Sequence, residues 1–499
     1  MKKLLSLLLV LSLVIVSCDF DKDFEQMNID PTKAAQIDVN NKLASVFLRT
    51  SGERYENWRA SFIYSSQIVQ HMSSTATYWT GNFYTRNEGY ATSLFDRAYP
   101  QQVKEIEDII FQLENDGVTG DQMGIARIWR AFIYHRITDL YGDIPYSEAG
   151  KGFINGVLKP KYDAQQDIYM DMLKEIEEGV AQLGSSSSLG AADLIFQGDM
   201  GKWKRFGNSL MLRLAMRLSK ADPATAQAWA SKAISAGVMT SNADIAYIQH
   251  TLGPEGINKN GHGEVFMADG NPRLSKTFVD FLQDDPRLPI LGARRSDGST
   301  NPADLIGMPN GLTSGALEAK YGTTAAEYAE PNRGVITGED APMVFQTYAE
   351  VEFMIAEAII KGWASGDAKA HYEAGVRGAM QMLSMLYPNA AVITDAEVDT
   401  YLAAKPYNPA NALEMIGEQY WAATFFNEYE AFANWRRTGF PVLQPFGGEA
   451  IYDGNVTNGT IPRRLIYPNS ENSTNAENFA AALSRQGPNE FTTRVWWDK

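Results

Sequence analysis

A mostly α-helical body, built from paired helices with long irregular loops and few short strands, is what this chain predicts. Three observations carry that reading. Apolar residues recur at helical spacing over long stretches, capping signals bound those stretches, and little of the chain alternates as a half-buried strand would. From Gly124 the apolar positions are Ile125, Ile128, Trp129, Phe132, Ile133 and Ile137, the i, i+3, i+4 stripe of a core-facing helix. Ile168 to Leu183 repeats the pattern and stops at Gly184 and a serine run. Trp203, Phe206, Leu210, Leu214 and Leu218 line one face of a third helix. Asp222 before Pro223 reads as an N-cap with proline in the first turn. Thr394-Asp395-Ala396-Glu397 reads as a capping box.

The helices fall into pairs. Val344 to Trp363, the turn Ser365-Gly366-Asp367, and Ala368 to Leu386 make a helix–turn–helix of about one tetratricopeptide length. Ala356, Ala358, Tyr372 and Gly375 supply the small and aromatic residues of that loose pattern, and the segments 121–183 and 200–236 are looser versions. Residues 240–343 and 439–468 are irregular and rich in Gly, Pro and Asn. Length without periodicity points to binding loops, and Phe266, Phe278, Phe281 and Tyr321 predict that these loops are packed. No Ser- or Pro-rich linker divides residues 41–499, which are expected to form one domain.

Composition narrows the chemistry. The 499 residues are 44% hydrophobic and carry a formal charge of −16. That supplies a large core and argues against binding phosphate backbones or anionic lipid through charge. A single cysteine excludes an intrachain disulfide and any Cys-ligated zinc or iron–sulfur site. No nucleophile elbow, no H-E-x-x-H helix and no phosphate-cradling loop is present. The five histidines are mutually remote in sequence. No cofactor or metal is expected, and acidic pairs such as Asp284-Asp285 are too common among 60 carboxylates to mark a catalytic dyad.

The amino terminus reads as an address. Lys2-Lys3 precedes the apolar run Leu4 to Val16, then Ser17-Cys18. The run is shorter than the ~20 residues of a spanning helix and fits a signal-peptide core, residues 1–17. The sole cysteine sits where cleavage would occur, and Ile15-Val16-Ser17-Cys18 resembles a bacterial lipobox. Cys18 is therefore the expected lipidation site, and lipid chains at about 0.8 kcal/mol per buried methylene can anchor a protein without a transmembrane helix. Asp19, Asp21 and Asp23 suggest a calcium loop, but Phe24 stands where an EF-hand needs glycine. Residues 18–40 are read as an acidic tether.

Several blocks together resemble one family. Leu140-Tyr141-Gly142-Asp143-Ile144-Pro145-Tyr146 is similar to a recurrent block of SusD/RagB-like outer-membrane lipoproteins. Further matches are Met27 to Thr32, Asn271 to Ser275 with Asp285 to Pro289, Glu350 to Ala358, Trp435 to Pro441, and Ile461 to Pro468 with Val495 to Asp498. Most of these blocks also read as fold determinants. Gly142 and Gly439 suit helix ends, and Arg436-Arg437 would lie at the negative end of a helix dipole. The resemblance implies a surface-exposed lipoprotein on a tetratricopeptide-like scaffold. It would act, without catalysis, as the lid of a SusC-like TonB-dependent transporter, capturing oligosaccharide or peptide for import. A surface glycoside hydrolase on an all-helical scaffold is the alternative, and a purely structural assembly protein a third.

For the ligand site, residues 64–90 hold the densest mixture of aromatic and polar side chains. A sugar wants a flat ring for its C–H face and amides, acids or guanidinium for its hydroxyls. Trp79 is expected to stack on ligand, flanked by Tyr78 and Tyr84, with Gln67, His71 or Arg86 as polar contacts. The competing expectation is that Trp79 packs between helices. A second candidate is the 255–271 loop with Asn258, Asn260, His262 and Asn271.

Overall fold

The computed structural model describes residues 37–185, 189–253 and 256–499. The signal peptide, Cys18 and the Asp19–Asp23 motif lie outside the described residues. Helices of ten or more residues set the frame: α1 (Val39–Ser51), α2 (Lys104–Asn115), α3 (Asp121–Tyr141), α4 (Gln165–Gln182), α5 (Met200–Arg217) and α6 (Pro223–Ala236) in the first half. α7 (Tyr348–Ile360), α8 (Ala368–Leu386), α9 (Asp395–Ala404), α10 (Ala412–Ala423), α11 (Glu428–Thr438) and α12 (Ala476–Gln486) follow. α1 opens inside the stretch read as tether.

The caps are the ones the residues predict. Asp222 accepts from the Thr225 amide, and Thr394 and Glu397 cap each other's backbone reciprocally. Gly142 and Gly439 end α3 and α11 with φ of 88° and 86°, a region glycine enters without steric cost. One helix start is corrected. The reading from Val344 fails because Pro342–Gln346 pairs antiparallel with Ala246–Gln249. α7 begins only after Thr347, which forms a capping box with Glu350. Arg436 and Arg437 lie in the last turn of α11, as their place before Gly439 predicts, and both are buried: Arg436 Nη2 donates to the Asp139 carbonyl at 2.6 Å and Arg437 grips Glu357 with two bonds of 2.7 Å.

Consecutive helices pack as pairs, α3 on α4, α5 on α6 and α7 on α8, with small residues where they cross. A methyl group on Gly124 would sit 2.6 Å from the Gly179 carbonyl, and one on Gly179 would sit 2.8 Å from that of Gly124. A methyl on Gly375 would strike the Phe353 ring at 2.5 Å. One continuous core runs from Val39 to Trp497, with a small satellite around Met308, Leu312, Leu317 and Tyr328. α1 is clamped at its far end, where Thr50 accepts from the Trp129 indole at 3.1 Å and the Arg136 guanidinium at 2.7 Å.

Charges cross this core. Arg213 of α5 bonds Glu350 of α7 at 2.6 Å, and Arg217 bonds Glu430 of α11 at 2.6 Å. Arg217 also lies 3.4 Å from Asp139 of α3, while the Tyr420 hydroxyl of α10 bonds Glu430 at 2.8 Å and Glu350 at 3.1 Å. The Trp497 indole and the Tyr169 hydroxyl close the network on Asp139. Every member is buried. Burial raises the Glu430 carboxyl, but Arg217 and Arg213 outweigh it and hold the group below the usual carboxylate range. Removing one partner strands the others without charge balance. Glu430→Ala should therefore lose about 3–5 kcal/mol of stability, read as a lower denaturation midpoint with unchanged slope.

Candidate functional site

The site begins with a two-stranded ribbon. Met72–Ser73 pairs antiparallel with Arg273–Leu274, which brings the segment after residue 73 beside the segment before residue 273. Asp269, buried just past the short helix Gly261–Ala268, is the meeting point. Its Oδ2 accepts from the Tyr78 hydroxyl at 2.7 Å, the Trp79 indole at 3.0 Å and the Trp58 indole at 3.2 Å. Its Oδ1 accepts from the Asn271 backbone amide at 2.9 Å and the Asn271 side-chain amide at 2.7 Å. That side-chain amide also reaches the Tyr78 hydroxyl at 2.7 Å.

Trp58 arrives from a different element. Asn57–Ser66 is a π-helix, a rare conformation that recurs at functional sites. Its wider turns are held by side chains, with Ser93 accepting from the Ala60 amide at 3.1 Å and Ser65 donating to the Ala60 carbonyl at 2.8 Å. Trp58 and Tyr78 meet edge to face, ring centroids 6.3 Å apart. Beyond Trp58, Tyr55 and Tyr90 are partly exposed and Arg59 lies over all three rings. The result is an aromatic strip with Asn271 exposed at one end and arginine at the other. Burial, and then the bond to Asp269, push the Tyr78 hydroxyl up to about 12, so it stays protonated and donating at neutral pH.

The six residues singled out from sequence separate here. Tyr78 is 37% exposed and sits in the strip. Trp79 is corrected: its ring is fully buried and its indole is committed to Asp269, leaving no face for a ligand. Tyr84 is buried and stacked on Phe446 at 4.3 Å. Gln67 is buried and accepts from the Asn82 amide at 2.7 Å, pinning the turn that follows Trp79. His71 is enclosed between Glu428 Oε2 at 2.8 Å and the Trp421 carbonyl at 3.0 Å. These three belong to the scaffold. Arg86 is on the surface and donates to the Asn489 carbonyl at 3.4 Å. Of the second candidate loop, Asn271 joins Tyr78, whereas Asn260 caps a helix and His262 is buried.

Trp58, Tyr55, Arg59 and Asp269 escaped the sequence reading. The one local signal is Tyr55-x-x-Trp58-Arg59, two aromatics three apart beside an arginine. Asp269 gave none, because its three aromatic donors lie about 190 to 211 positions upstream.

Cavities also lie elsewhere among the described residues. A small one of about 40 Å³, lined by Met382, Leu386, Phe425 and Arg287 among others, is too small for a sugar, and one of about 670 Å³ lies beside Leu48, Asp193 and Asn258. An open groove of about 940 Å³ between α2, α3 and α4 is lined by Glu107, Glu114, Asp163, Asp167, Asp171 and Glu175. It offers few flat rings and many carboxylates. No cluster of three or more potential metal ligands occurs among the described residues.

Comparison with known proteins completes the picture. A SusD-like family model, described as starch-binding and associating with the outer membrane, matches residues 31–468. Among solved structures, a chitin-binding protein is 33% identical, with 93% of this chain and 100% of that one covered and a TM-score of 0.83. A SusD-like protein of Bacteroidetes AC2a is 27% identical over 93% of this chain and 100% of its own, TM-score 0.80. A SusD-like protein from Bacteroides thetaiotaomicron is 25% identical over 92% and 99%, TM-score 0.75. No curated protein matches.

The geometry separates two neighbours in sequence. Trp79→Ala should cost about 3–5 kcal/mol of folding stability as a core truncation, whereas Tyr78→Ala should leave the melting temperature nearly unchanged. Thermal unfolding of both variants checks this.

Proposed function

This chain belongs to the SusD-like family, and from that premise we propose that it is a nutrient-binding lipoprotein of the cell surface. It is the lid of a SusC-like TonB-dependent transporter and captures an oligosaccharide for import. The observation that carries the ligand assignment is the aromatic strip: Tyr78 and Trp58 offer ring faces, and Asn271 offers an amide beside them. Sugars are bound by such a pairing of stacking surface and directed hydrogen bonds. The chitin-binding relative supports a carbohydrate over a peptide.

The strip binds without reacting. Glycoside hydrolysis needs two carboxyl groups about 5–10 Å apart, one acting as acid and one as base or nucleophile. Asp269 is the carboxylate that meets the rings of Tyr78 and Trp58, and its two oxygens already accept five hydrogen bonds. It orients the aromatics and has no capacity left for proton transfer. This favours capture over the hydrolase reading.

Anchoring follows from the amino terminus. Residues 1–17 are the signal peptide, Cys18 takes the lipid, and an acidic tether leads to one helical domain. No helix of the described residues is long and apolar enough to cross a membrane, which accords with attachment through lipid. The chain enters the fold at α1, and Lys42 ties that end to Asp108 of α2 at 2.7 Å.

Three outcomes are expected. Tyr78→Ala weakens binding of the cognate oligosaccharide by about thirtyfold, as loss of an aromatic anchor worth about 2 kcal/mol implies, read by calorimetric titration. Cys18→Ala abolishes incorporation of a radiolabelled fatty acid. Tagged protein extracted in mild detergent brings down a much larger outer-membrane transporter; repeated recovery of the protein alone would refute the lid.

A further inference from the structure

The far end of the aromatic strip is cationic, in a protein whose formal charge is −16. Arg59 stacks its guanidinium on Tyr55 at 3.9 Å, and Arg97 reaches the same ring at 4.6 Å. Arg59 also lies 5.5 Å from the Trp58 ring and 5.4 Å from that of Tyr90. Both residues are partly exposed. Elsewhere on the surface arginines meet acids, as Arg127 does with Glu175, Arg205 with Asp244 and Arg377 with Asp395. Among the described residues Arg59 and Arg97 form no such ion pair. The one hydrogen bond of Arg59 among them is Nη1 to the Tyr55 carbonyl at 3.1 Å, and the rest of its fork has no partner there.

The neighbouring acids make no direct ion pair with these groups among the described residues. Asp96 and Glu56 attract Arg97 through space, Asp96 accepts the Thr92 hydroxyl at 2.6 Å, and Asp269 is occupied by its five donors. Glu56 is buried beneath the patch with neither carboxylate oxygen hydrogen-bonded. Burial pushes it up to about 7, so it holds its proton for much of the time at neutral pH. A guanidinium can bond a sugar hydroxyl, but two beside one ring, neither of them ion-paired among the described residues, carry charge that a neutral ligand leaves unbalanced. They suit an oxyanion, which takes charge-assisted and often bidentate bonds from arginine.

We infer that the ligand is an acidic glycan, whose carboxylate or sulfate group seats on Arg59 and Arg97 while its sugar rings lie along Trp58 and Tyr78. The inference rests on the carbohydrate reading of the same strip and adds a charge to the substrate. The acidic surface of the protein repels such a ligand at a distance, so the attraction is local and short-ranged.

Three tetrasaccharides test it by calorimetry on the purified intact protein: tetragalacturonate carrying carboxylates, a κ-carrageenan tetrasaccharide carrying sulfates, and neutral chitotetraose. At least one acidic probe should bind ten or more times tighter than chitotetraose and weaken steeply as sodium chloride is raised, and the tighter of the two identifies the oxyanion. The double variant R59Q/R97Q keeps the side-chain stems and removes the charges. It should lower acidic binding to the level that chitotetraose shows on the same variant, with the melting temperature read alongside to show that the body stays folded. Equal or tighter binding of chitotetraose, or an acidic preference that survives R59Q/R97Q, overturns the inference while Tyr78→Ala still reports on the carbohydrate site. Binding of none of the three overturns it as well. If Tyr78→Ala then also fails to weaken any glycan identified on a broad array, the carbohydrate reading falls separately.

Discussion

Two arginines of α5 hold the molecule to one arrangement. Helix pairs of the tetratricopeptide kind bury their apolar faces mainly against the next pair, which leaves open how distant pairs are oriented. Arg213 and Arg217 remove that freedom by reaching Glu350, Glu430 and Asp139 from α7, α11 and α3 at once. The attraction is large only because water is excluded, and the same exclusion makes any unpaired member costly. An alternative packing that shifted one helix would strand a buried charge. The apolar core sets how much surface is hidden; the ionic network selects which packing hides it. Even the carboxy-terminal Trp497 is drawn in, its indole donating to Asp139 at 3.1 Å.

The aromatic strip is carried by this frame. Tyr78 and Trp58 come from a loop and a π-helix, elements that by themselves would fix neither ring. Asp269 fixes both, since its Oδ2 receives Tyr78, Trp79 and Trp58 together. The ordering cost of the aromatic surface is met during folding, so a ligand docking on the rings under the proposed function would find them already placed. A carboxylate that looks in isolation like a catalytic candidate is here a structural hub.

Periodicity and caps made the helices legible, because both are written within a few residues of each other. Asp222, Thr347 and Thr394 act within one turn of where they stand. The start of α7 was misread because Val344 and Phe345 suit helix and strand equally, and their partner Ala246–Gln249 is remote. The site was legible by region only. Tyr78 and Trp79 are adjacent and chemically alike, yet one ring is exposed and the other enclosed. What decides between them is how the 72–79 segment runs past Asp269, set by a ribbon of two residues per strand. No local pattern encodes that. Gln67 and His71, polar and beside the aromatics, looked like ligand groups and turned out to satisfy buried backbone and side-chain partners.

The clamp at the end of α1 has a mechanical meaning. Thirteen residues at 1.5 Å each make α1 about 20 Å long, with the upstream chain joining at Val39 and the strip beginning just past Ser51. Tension applied from the upstream chain runs along the helix axis to Thr50, where Trp129 and Arg136 of α3 hold the backbone and side chain. Load is shared along α1, through Lys42 to Asp108 of α2 near its start and through Thr50 at its end, before the chain reaches Tyr55. These contacts stand between the upstream chain and the rings of the strip, so a pull on the amino terminus meets α2 and α3 before it meets Tyr55 and Trp58.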